Sequence, residues 1–197
     1  PMTIEPFRHI PPMPIAYSSA PSRDAATMNM GFTAEALQQK YNITREAQDE
    51  FSYRSQLRTR KAQEAGFFAQ DIMSIMVSQG KKPPIEFKVD EFPRPDTTLE
   101  GLANLPPAFI KDGTVTAGNS SGRNDGAAFV LMMTKEKAEH LGYQPMAKWL
   151  SGGDYGVDPR IMGIAPAYDV PQALKRAGIK ISQLDVIECN EAFAVQN

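Results

Sequence analysis

Cysteine and histidine are scarce in this sequence, which has one cysteine, Cys189, and two histidines, His9 and His140, among its 197 residues. A single thiol excludes an internal disulfide and fits a reducing compartment, so we expect a cytoplasmic protein. Neither histidine has a second candidate ligand at metal-binding spacing, so no zinc site is predicted. His140 lies near the end of a predicted helix, where an imidazole commonly interacts with terminal carbonyl groups.

Long apolar runs and blocks of like charge are also missing. The longest apolar stretch, residues 127–133, is about a third of the ~20 residues that a membrane-spanning helix needs. No charged start followed by an apolar core marks a secretory signal. The formal net charge is -2 and no run of five like charges occurs, so nothing would attract nucleic acid or an anionic membrane. We therefore expect neither nucleic acid nor a membrane as partner.

The composition that is present, 42% apolar and 22% charged residues, is typical of a globular protein. Residues 1–30 contain six prolines and are predicted to form extended, loop-like chain. The chain begins at Pro1 without methionine, and it stops at Asn197 six residues into a helix predicted to begin near Glu191. These ends lead us to expect a piece of a longer protein.

Residues 31–111 are predicted to form a mostly helical layer. Thr33 is suited to cap a helix that runs towards Tyr41. Thr44 is suited to cap a longer helix, in which residues such as Ala47, Phe51 and Arg54 recur every three or four positions, and Gly66 is suited to end it.

A small hairpin is predicted to follow, with strands at 71–77 and 85–89 and a turn at 81–84. Thr97 and Glu100 have the spacing of a capping box, which predicts one more short helix before a pair of prolines.

The rest of the chain alternates predicted strands and helices, which indicates an α/β protein with a layered sheet. The run at 126–133 is almost wholly apolar, as expected for a strand covered on both faces. The predicted strands are 114–117, 126–133, 146–150 and 185–189. One predicted helix is capped by Thr134 and ended by Gly142, and a second runs over 171–177 and ends before Gly178.

Residues 190–194, Asn190-Glu-Ala-Phe-Ala194, stand where an apolar strand is predicted to lead into a helix. Ligands of open α/β sheets lie outside the carboxyl ends of strands, where helix N-terminal amides also point. The Asn190 amide both donates and accepts, so it could orient a water or an oxyanion there without adding negative charge. The alternative is an ordinary helix cap, with Glu191 only favouring the helix dipole.

Residues 116–126, here called the glycine loop, carry three glycines between two predicted strands. Glycine allows a close approach of backbone to a ligand, and the hydroxyl groups of Ser120 and Ser121 can bond its polar atoms. The loop lacks the ending of a phosphate-binding P-loop and the dinucleotide spacing, and a turn without a ligand is the alternative. Cys189 has no histidine nearby and is expected to be a small buried hydrophobic residue.

Together these motifs resemble the thiolase family. Residues 114–128, Thr-Val-Thr-Ala-Gly-Asn-Ser-Ser-Gly-Arg-Asn-Asp-Gly-Ala-Ala, and the Asn-Glu-Ala-Phe segment at 190–194 are similar to two family motifs. Residues 156–163, Gly-Val-Asp-Pro-Arg-Ile-Met-Gly, resemble a third, although Ala165 stands before Pro166 where the family has glycine. Segments 30–35, 45–51 and 90–95 extend the resemblance, which covers the chain from about Gly31 to its end.

The resemblance implies the five-layer α-β-α-β-α thiolase fold, an α/β fold with an inserted, mostly helical loop domain. In that scheme residues 1–30 lead from the first core half into the loop domain, and 31–111 form the loop domain that binds coenzyme A. Residues 112–145 return to the N-terminal core, and 146–197 begin the C-terminal core.

The resemblance also implies acyl transfer between coenzyme A thioesters through a cysteine acyl-enzyme, without a tightly bound cofactor. The family's two cysteines and its histidine fall outside residues 1–197, so this chain alone is expected to be inactive and, with unpaired sheet edges, prone to aggregation. The whole protein is expected to be a homodimer or homotetramer.

Site residues follow from the same resemblance. Asn190 matches the residue that holds the water of an oxyanion hole. Residues that match those binding coenzyme A or lining the acyl end are Ser121, Ala117, Phe109, Arg94, Met162, Ala192 and Phe193. For Arg94 the alternative is a surface ion pair with Glu91 or Asp96.

Two other functions stay open. The first is a non-catalytic thiolase-like protein that binds acyl chains or lipids, or serves as a subunit. The second is a ketoacyl synthase that uses carrier-protein thioesters. The synthase is disfavoured because those relatives have histidines where this chain has Asn190.

Overall fold

A computed structural model describes residues 29–197, so the proline-rich segment predicted at the N-terminus and His9 lie outside the described residues. The described chain divides into two compact units. The larger unit consists of Met30–Gly122 and Asn190–Asn197. The smaller unit contains Arg123–Cys189 together with Asn29.

The long helix predicted after Thr44 is confirmed as α2, Arg45–Glu64. The Thr44 hydroxyl oxygen accepts a hydrogen bond from the Ala47 N–H at 3.2 Å, which satisfies one of the free amides of the first turn. Gly66 follows the last turn at φ 70°, a left-handed conformation that glycine adopts without steric cost.

The preceding helix, α1, spans Met30–Tyr41, so the prediction that Thr33 caps it is wrong. The Thr33 hydroxyl instead donates to the Met30 carbonyl oxygen at 2.7 Å, inside the first turn. A threonine hydroxyl can bond a backbone group as a cap or inside the first turn, and for that reason the sequence pattern placed the helix start four residues late.

The hairpin is confirmed with different bounds. Strand β1, Ile75–Gln79, pairs antiparallel with β2, Lys82–Phe87, and Val77 lies opposite Ile85. The residues predicted as a turn, 81–84, belong mostly to β2. In a ribbon of two strands the outer edge of each strand has no partner. A proline whose backbone nitrogen lies on that edge removes no hydrogen bond between the strands.

Helix α3, Leu99–Ala103, begins one residue later than predicted. Thr98 is its cap, and its hydroxyl oxygen accepts from the Gly101 N–H at 3.0 Å. The capping box of Thr97 with Glu100 is therefore wrong, and the Thr97 hydroxyl donates to the Arg94 carbonyl at 2.8 Å instead.

In the smaller unit, α4 (Lys135–Leu141) is capped by Thr134 and ended by Gly142 at φ 72°, as predicted. Helix α5, Ala165–Ala177, begins six residues before the predicted start. Pro166 occupies its first turn and Pro171 lies inside it, so the second proline marks no helix start. Gly178 follows the end of α5, as predicted.

Two helix starts share a pattern of charge. Glu46 and Glu136 stand two residues after the caps Thr44 and Thr134. The pKa of each carboxyl lies below its ordinary value, chiefly because the glutamate's own backbone N–H bonds it and secondly because the cap hydroxyl does. A lowered folded-state pKa means that this stabilisation is present above the unfolded pKa and is lost as the pH falls.

The strands predicted at 114–117, 126–133, 146–150 and 185–189 are wrong, and only an isolated bridge joins Thr116 to Pro107. Phe129, in the run predicted to be covered on both faces, is 94% exposed, and Trp149, in the predicted strand 146–150, is 72% exposed. Cys189 is exposed as well, so its predicted burial is wrong. A strand needs a hydrogen-bonded neighbour, and no strand lies beside these segments among residues 29–197.

The core of the larger unit lies between α1, α2, α3 and a short turn at Ala194–Gln196. Its buried apolar side chains are Ala34, Leu37, Leu102, Val115, Ala194 and Val195. The same interior buries polar side chains, namely Thr33, Glu35, Gln48, Asp49, Ser52, Thr116 and Asn119. So many buried polar groups require hydrogen-bond partners. Glu35 finds them in Thr114 and Val115, just before the glycine loop, and Asp49 finds one in Asn119 of the loop. Within the described part of the chain no helix has the length and apolar character to cross a bilayer.

Candidate functional site

The glycine loop and the Asn-Glu-Ala-Phe segment lie side by side in the larger unit. An antiparallel bridge joins Ser120 to Phe193. Beside it the Ser121 N–H donates to the Ala192 carbonyl oxygen at 2.9 Å. Two motifs that are far apart in the sequence are thus held together by main-chain hydrogen bonds.

A buried carboxylate holds the two residues that lead into the glycine loop. Glu35 on α1 is 2% exposed, and its oxygens accept from the Thr114 N–H at 3.0 and 3.1 Å and from the Val115 N–H at 2.9 Å. The Thr114 hydroxyl donates to the same carboxylate at 3.2 Å. One side chain therefore satisfies two successive backbone amides that have no strand partner.

A buried amide holds the middle of the loop. The Asn119 Oδ1 accepts from the Thr116 N–H at 2.7 Å, and its Nδ2 donates to the Thr114 carbonyl and to Asp49 Oδ1, both at 3.0 Å. The other oxygen of Asp49 accepts from Arg45 Nε at 2.7 Å. Hydrogen bonds to charged groups are stronger than neutral ones, so this chain of contacts stiffens the loop.

The aromatic part of the site consists of Phe109 and Phe193, whose ring centroids are 6.1 Å apart with the planes at 74°. Edge-to-face pairs at this distance are favourable. Phe109 also lines an open pocket of about 390 Å³ formed by residues 107–112. The Phe109 ring also packs against Gly31 of α1, where a Cβ atom would overlap the ring carbons.

We expect Gly31→Ala to lower the free energy of unfolding by about 1–3 kcal/mol, because the added methyl group forces the Phe109 ring out of its position. Urea unfolding of the whole protein measures the effect. Gly126→Ala is the matched control, since nothing lies within 4 Å of a Cβ placed there. Equal stabilities of the two variants would contradict the close packing of α1 against Phe109.

Asn190 is exposed and stands two residues before Ala192, so it lies in the same unit as Ser121, Ala117 and Phe109. The helix predicted to begin near Glu191 is absent, and only the short turn Ala194–Gln196 follows. The reading of Glu191 as a partner of that helix's dipole is therefore wrong. Its carboxylate accepts a hydrogen bond from the Ser55 hydroxyl at 2.5 Å.

The remaining predicted residues are more dispersed. Arg94 is exposed in the larger unit, where its backbone N–H donates to Gln56 Oε1 at 2.9 Å. The alternative ion pair of Arg94 with Glu91 or Asp96 does not form among the described residues. Met162 lies in the smaller unit, in the turn Pro159–Ile164, and is 36% exposed. No group of three or more metal-ligating side chains is found in residues 29–197.

Sequence reasoning missed the residues that shape the site, namely Glu35, Arg45, Gln48, Asp49 and Asn119. Residues that recur every three or four positions share one face of a helix, and the predicted face of α2 included Ala47. In the structure Ala47 is exposed, whereas Gln48, Asp49 and Ser52 are buried. One signal was present: segments 30–35 and 45–51 resemble family motifs although their polar residues have no obvious catalytic chemistry. Such residues commonly serve buried hydrogen-bond networks.

Comparison with known families gives two matches along the chain. Residues 18–136 match the thiolase N-terminal domain, and residues 143–197 match the thiolase C-terminal domain. An acetyl-CoA acetyltransferase from Thiocystis violacea is 50% identical over 168 residues, which is 85% of this chain and 43% of that protein. One from Pseudomonas aeruginosa is 52% identical over 169 residues, covering 86% and 43% respectively. The chain thus spans less than half the length of these relatives.

Solved structures agree with the sequence matches. The chain superimposes on the Bacillus anthracis acetyl-CoA acetyltransferase with a TM-score of 0.83 and 47% identity, over 86% of this chain and 43% of that structure. For human mitochondrial 3-ketoacyl-CoA thiolase the TM-score is 0.79 at 39% identity, over 91% and 45%. These likenesses confirm the predicted fold class, the α/β thiolase fold. The paired glycine loop and Asn-Glu-Ala-Phe segment, the two domain matches and these structures together show that the chain belongs to the thiolase family.

Proposed function

We propose that the whole protein is an acyl-CoA:acyl-CoA C-acyltransferase, which condenses two acetyl-CoA molecules or cleaves a 3-ketoacyl-CoA with coenzyme A. The observation that carries this proposal is the pairing of the glycine loop with the Asn-Glu-Ala-Phe segment, which presents Ser121 and Asn190 on one unit. About half of the matched residues are identical to those of proteins named acetyl-CoA acetyltransferase, which supports it further.

In the cleavage direction a cysteine thiolate from outside residues 1–197 attacks the C3 carbonyl of the 3-ketoacyl-CoA. The C2–C3 bond breaks, its electron pair leaves as the enolate of acetyl-CoA, and the enolate takes a proton at C2. The thiol of a second coenzyme A then accepts the acyl group and regenerates the cysteine. In this scheme Asn190 holds the water that stabilises the developing oxyanion.

The exposure pattern of the glycine loop supports a binding role for its outward residues. Thr116 and Asn119 are buried, whereas Ala117 and Ser121 are exposed. The loop therefore presents a small apolar side chain and a hydroxyl group on its outer surface, which suits the mixed character of a pantetheine arm. We assign these two residues to that arm.

The remaining site residues receive roles in the same proposal. Phe109 lies beside the pantetheine arm, Ala192 is a further binding residue, Phe193 and Met162 each match residues that line the acyl end, and Arg94 matches a residue near the nucleotide. The domain scheme is likewise proposed, with 1–30 leading into the loop domain 31–111, then 112–145 in the N-terminal core and 146–197 in the C-terminal core. The matched N- and C-terminal family domains support this division.

The test is a thiolysis assay of the whole protein with acetoacetyl-CoA and coenzyme A. We expect consumption of the 3-ketoacyl thioester that depends on coenzyme A, and acetyl-CoA as the product. A protein that binds acyl-CoA without thiolysis or condensation would favour the non-catalytic, acyl-binding alternative. That outcome would overturn the proposed transfer while leaving the coenzyme A site in place.

Replacing Ser121 with alanine is expected to raise the KM for acyl-CoA by about 3- to 10-fold, the equivalent of one lost hydrogen bond of about 1 kcal/mol. The turnover number should change less, because the hydroxyl lies away from the reacting carbon in this assignment. Ser78→Ala in β1 is the control, since Ser78 is exposed on the hairpin. A KM equal to that of the wild type would remove Ser121 from the binding site.

We also propose that the whole protein acts in the cytoplasm as a homodimer or homotetramer, with coenzyme A thioesters as substrates and no tightly bound cofactor. The single cysteine fits a reducing compartment. The exposed apolar side chains Phe129, Val130 and Leu131 support burial of that surface in the whole protein or its assembly. Light scattering of the whole protein measures the oligomeric state.

A further inference from the structure

We propose that Asn119 is a positioning residue that sets the register between the glycine loop and the Asn-Glu-Ala-Phe segment, and that Asp49 holds Asn119 in this role. The inference rests on the proposed acyl transfer, because that reaction requires Ser121 and Asn190 in fixed relative positions. Asn119 itself is 2% exposed and does not reach the outer surface of the loop, so it acts through its neighbours.

Asn119 is bonded through both its side chain and its main chain. Its amide joins the Thr116 N–H, the Thr114 carbonyl and Asp49. Its own main-chain carbonyl oxygen accepts from the Ala194 N–H at 2.9 Å. The residue whose side chain is locked inside the loop thus also supplies the acceptor that ties the second motif to it.

Asp49 is in turn fixed from the opposite side. Arg45 Nε bonds Asp49 Oδ2, and Arg45 Nη2 donates to the carbonyl oxygens of Leu102 at 2.6 Å and Leu105 at 3.0 Å. Asp49 is buried, so its charge depends on these partners. Gly118 adds to the constraint, because a Cβ there would overlap the side chains of both leucines. A continuous set of contacts therefore runs from the end of α3 to Ala194.

Register matters here because the two segments pair as extended chains. A slip of one residue in such a pair turns every side chain to the other face. The bridge between Ser120 and Phe193 would be lost, Ser121 would turn inward, and the Phe193 ring would leave Phe109. Such a slip must break both main-chain bonds of the pair, from Ser121 to Ala192 and from Ala194 to Asn119. Of the two residues on the loop side, Asn119 is the one whose side chain is also held by buried partners, so it is the residue that resists the slip.

The chemistry of this position favours asparagine over aspartate. The Nδ2 group donates to two acceptors, Asp49 Oδ1 and the Thr114 carbonyl, while Oδ1 accepts from Thr116. A carboxylate of the same shape would place an oxygen against both acceptors and a negative charge beside Asp49. Asn119→Asp is therefore an isosteric change that removes the donor and adds repulsion.

The experiment compares Asn119→Asp, Asp49→Asn and the double variant of the whole protein in the thiolysis assay. We expect Asn119→Asp to lower kcat and raise KM together, each by about tenfold, because a small displacement of reacting groups reduces turnover strongly. The double variant should recover part of both parameters, since the exchanged pair again has one donor facing one acceptor. The contact with the Thr114 carbonyl is not restored, so recovery is incomplete. Asn104→Asp, at the exposed end of α3, is the control.

Amide hydrogen exchange of Ala194 and Ser121 gives a readout that does not depend on activity. Both amides should exchange faster in Asn119→Asp and at the wild-type rate in Asn104→Asp. If Asn119→Asp fails to fold, the kcat, KM and amide exchange rates of Asp49→Asn are the test. A folded variant with wild-type kcat, KM and exchange would overturn the proposal. An inactive wild-type protein would instead remove the proposed function, and exchange at Ala194 would still decide the register.

Discussion

Glu35→Ala is expected to lower the free energy of unfolding by about 2–4 kcal/mol, since one buried and one half-buried backbone amide would lose their acceptor. Those amides belong to Thr114 and Val115, and Val115 is fully buried. At Val115, water cannot replace the carboxylate without entering the core between α1 and the residues that lead into the glycine loop. Denaturant unfolding of the whole protein, followed by circular dichroism, measures the change.

Two further variants sharpen this prediction. Glu35→Gln keeps one acceptor oxygen but turns an NH₂ group towards backbone donors, so we expect an intermediate loss. Glu50→Ala is the surface control, because Glu50 on α2 is 62% exposed and makes only a 3.9 Å ion pair with Arg54. The same loss of stability in Glu35→Ala and Glu50→Ala would show that the buried carboxylate does not hold the loop.

Asn190→Ala is expected to lower the kcat of thiolysis about 10²-fold, the usual loss when one oxyanion-hole donor is removed. The KM should change little, because the amide would act on the developing charge and not on the bound thioester. The main-chain bond between Ser121 and Ala192 does not involve the Asn190 side chain, so the variant should fold normally. Steady-state kinetics together with a thermal melt separate these effects.

A second variant at the same position tests the chemistry of the amide. Asn190→Asp has the same shape but adds a negative charge beside the forming oxyanion, so its kcat should be at least as low as that of Asn190→Ala. Asn104→Ala removes an exposed amide elsewhere in the unit and should leave kcat unchanged. Folded Asn190→Ala protein with full turnover would remove Asn190 from the oxyanion hole and leave it as a surface residue of the segment.

The elements that were predicted correctly are those whose signals lie within a few residues. Thr44 caps α2 and Thr134 caps α4, and Gly66 and Gly142 end these helices in left-handed conformations. Each interaction joins groups three or four positions apart, so neighbouring residues suffice to specify it. The starts of α1 and α5 were misplaced because threonine and proline are each tolerated at more than one helical position.

The strands were predicted wrongly for the opposite reason. An apolar run such as 126–133 indicates what a strand would bury, but a strand forms only beside a hydrogen-bonded neighbour. None of the described residues supplies that neighbour, and Phe129 remains almost fully exposed. The hairpin was predicted because its two strands are close in sequence and each provides the other's partner.

Family membership could be predicted from the sequence by itself, because ordered motifs such as 114–128 and 190–194 are properties of the chain order. The tertiary structure alone decided which face of α2 is buried, and with it the use of Asp49 to hold Asn119. It also decided that Glu35 holds Thr114 and Val115 before the glycine loop and that Ser120 pairs with Phe193. These contacts join residues that are distant in sequence, and burial and pairing depend on the folded arrangement of the whole unit, which local preferences do not encode.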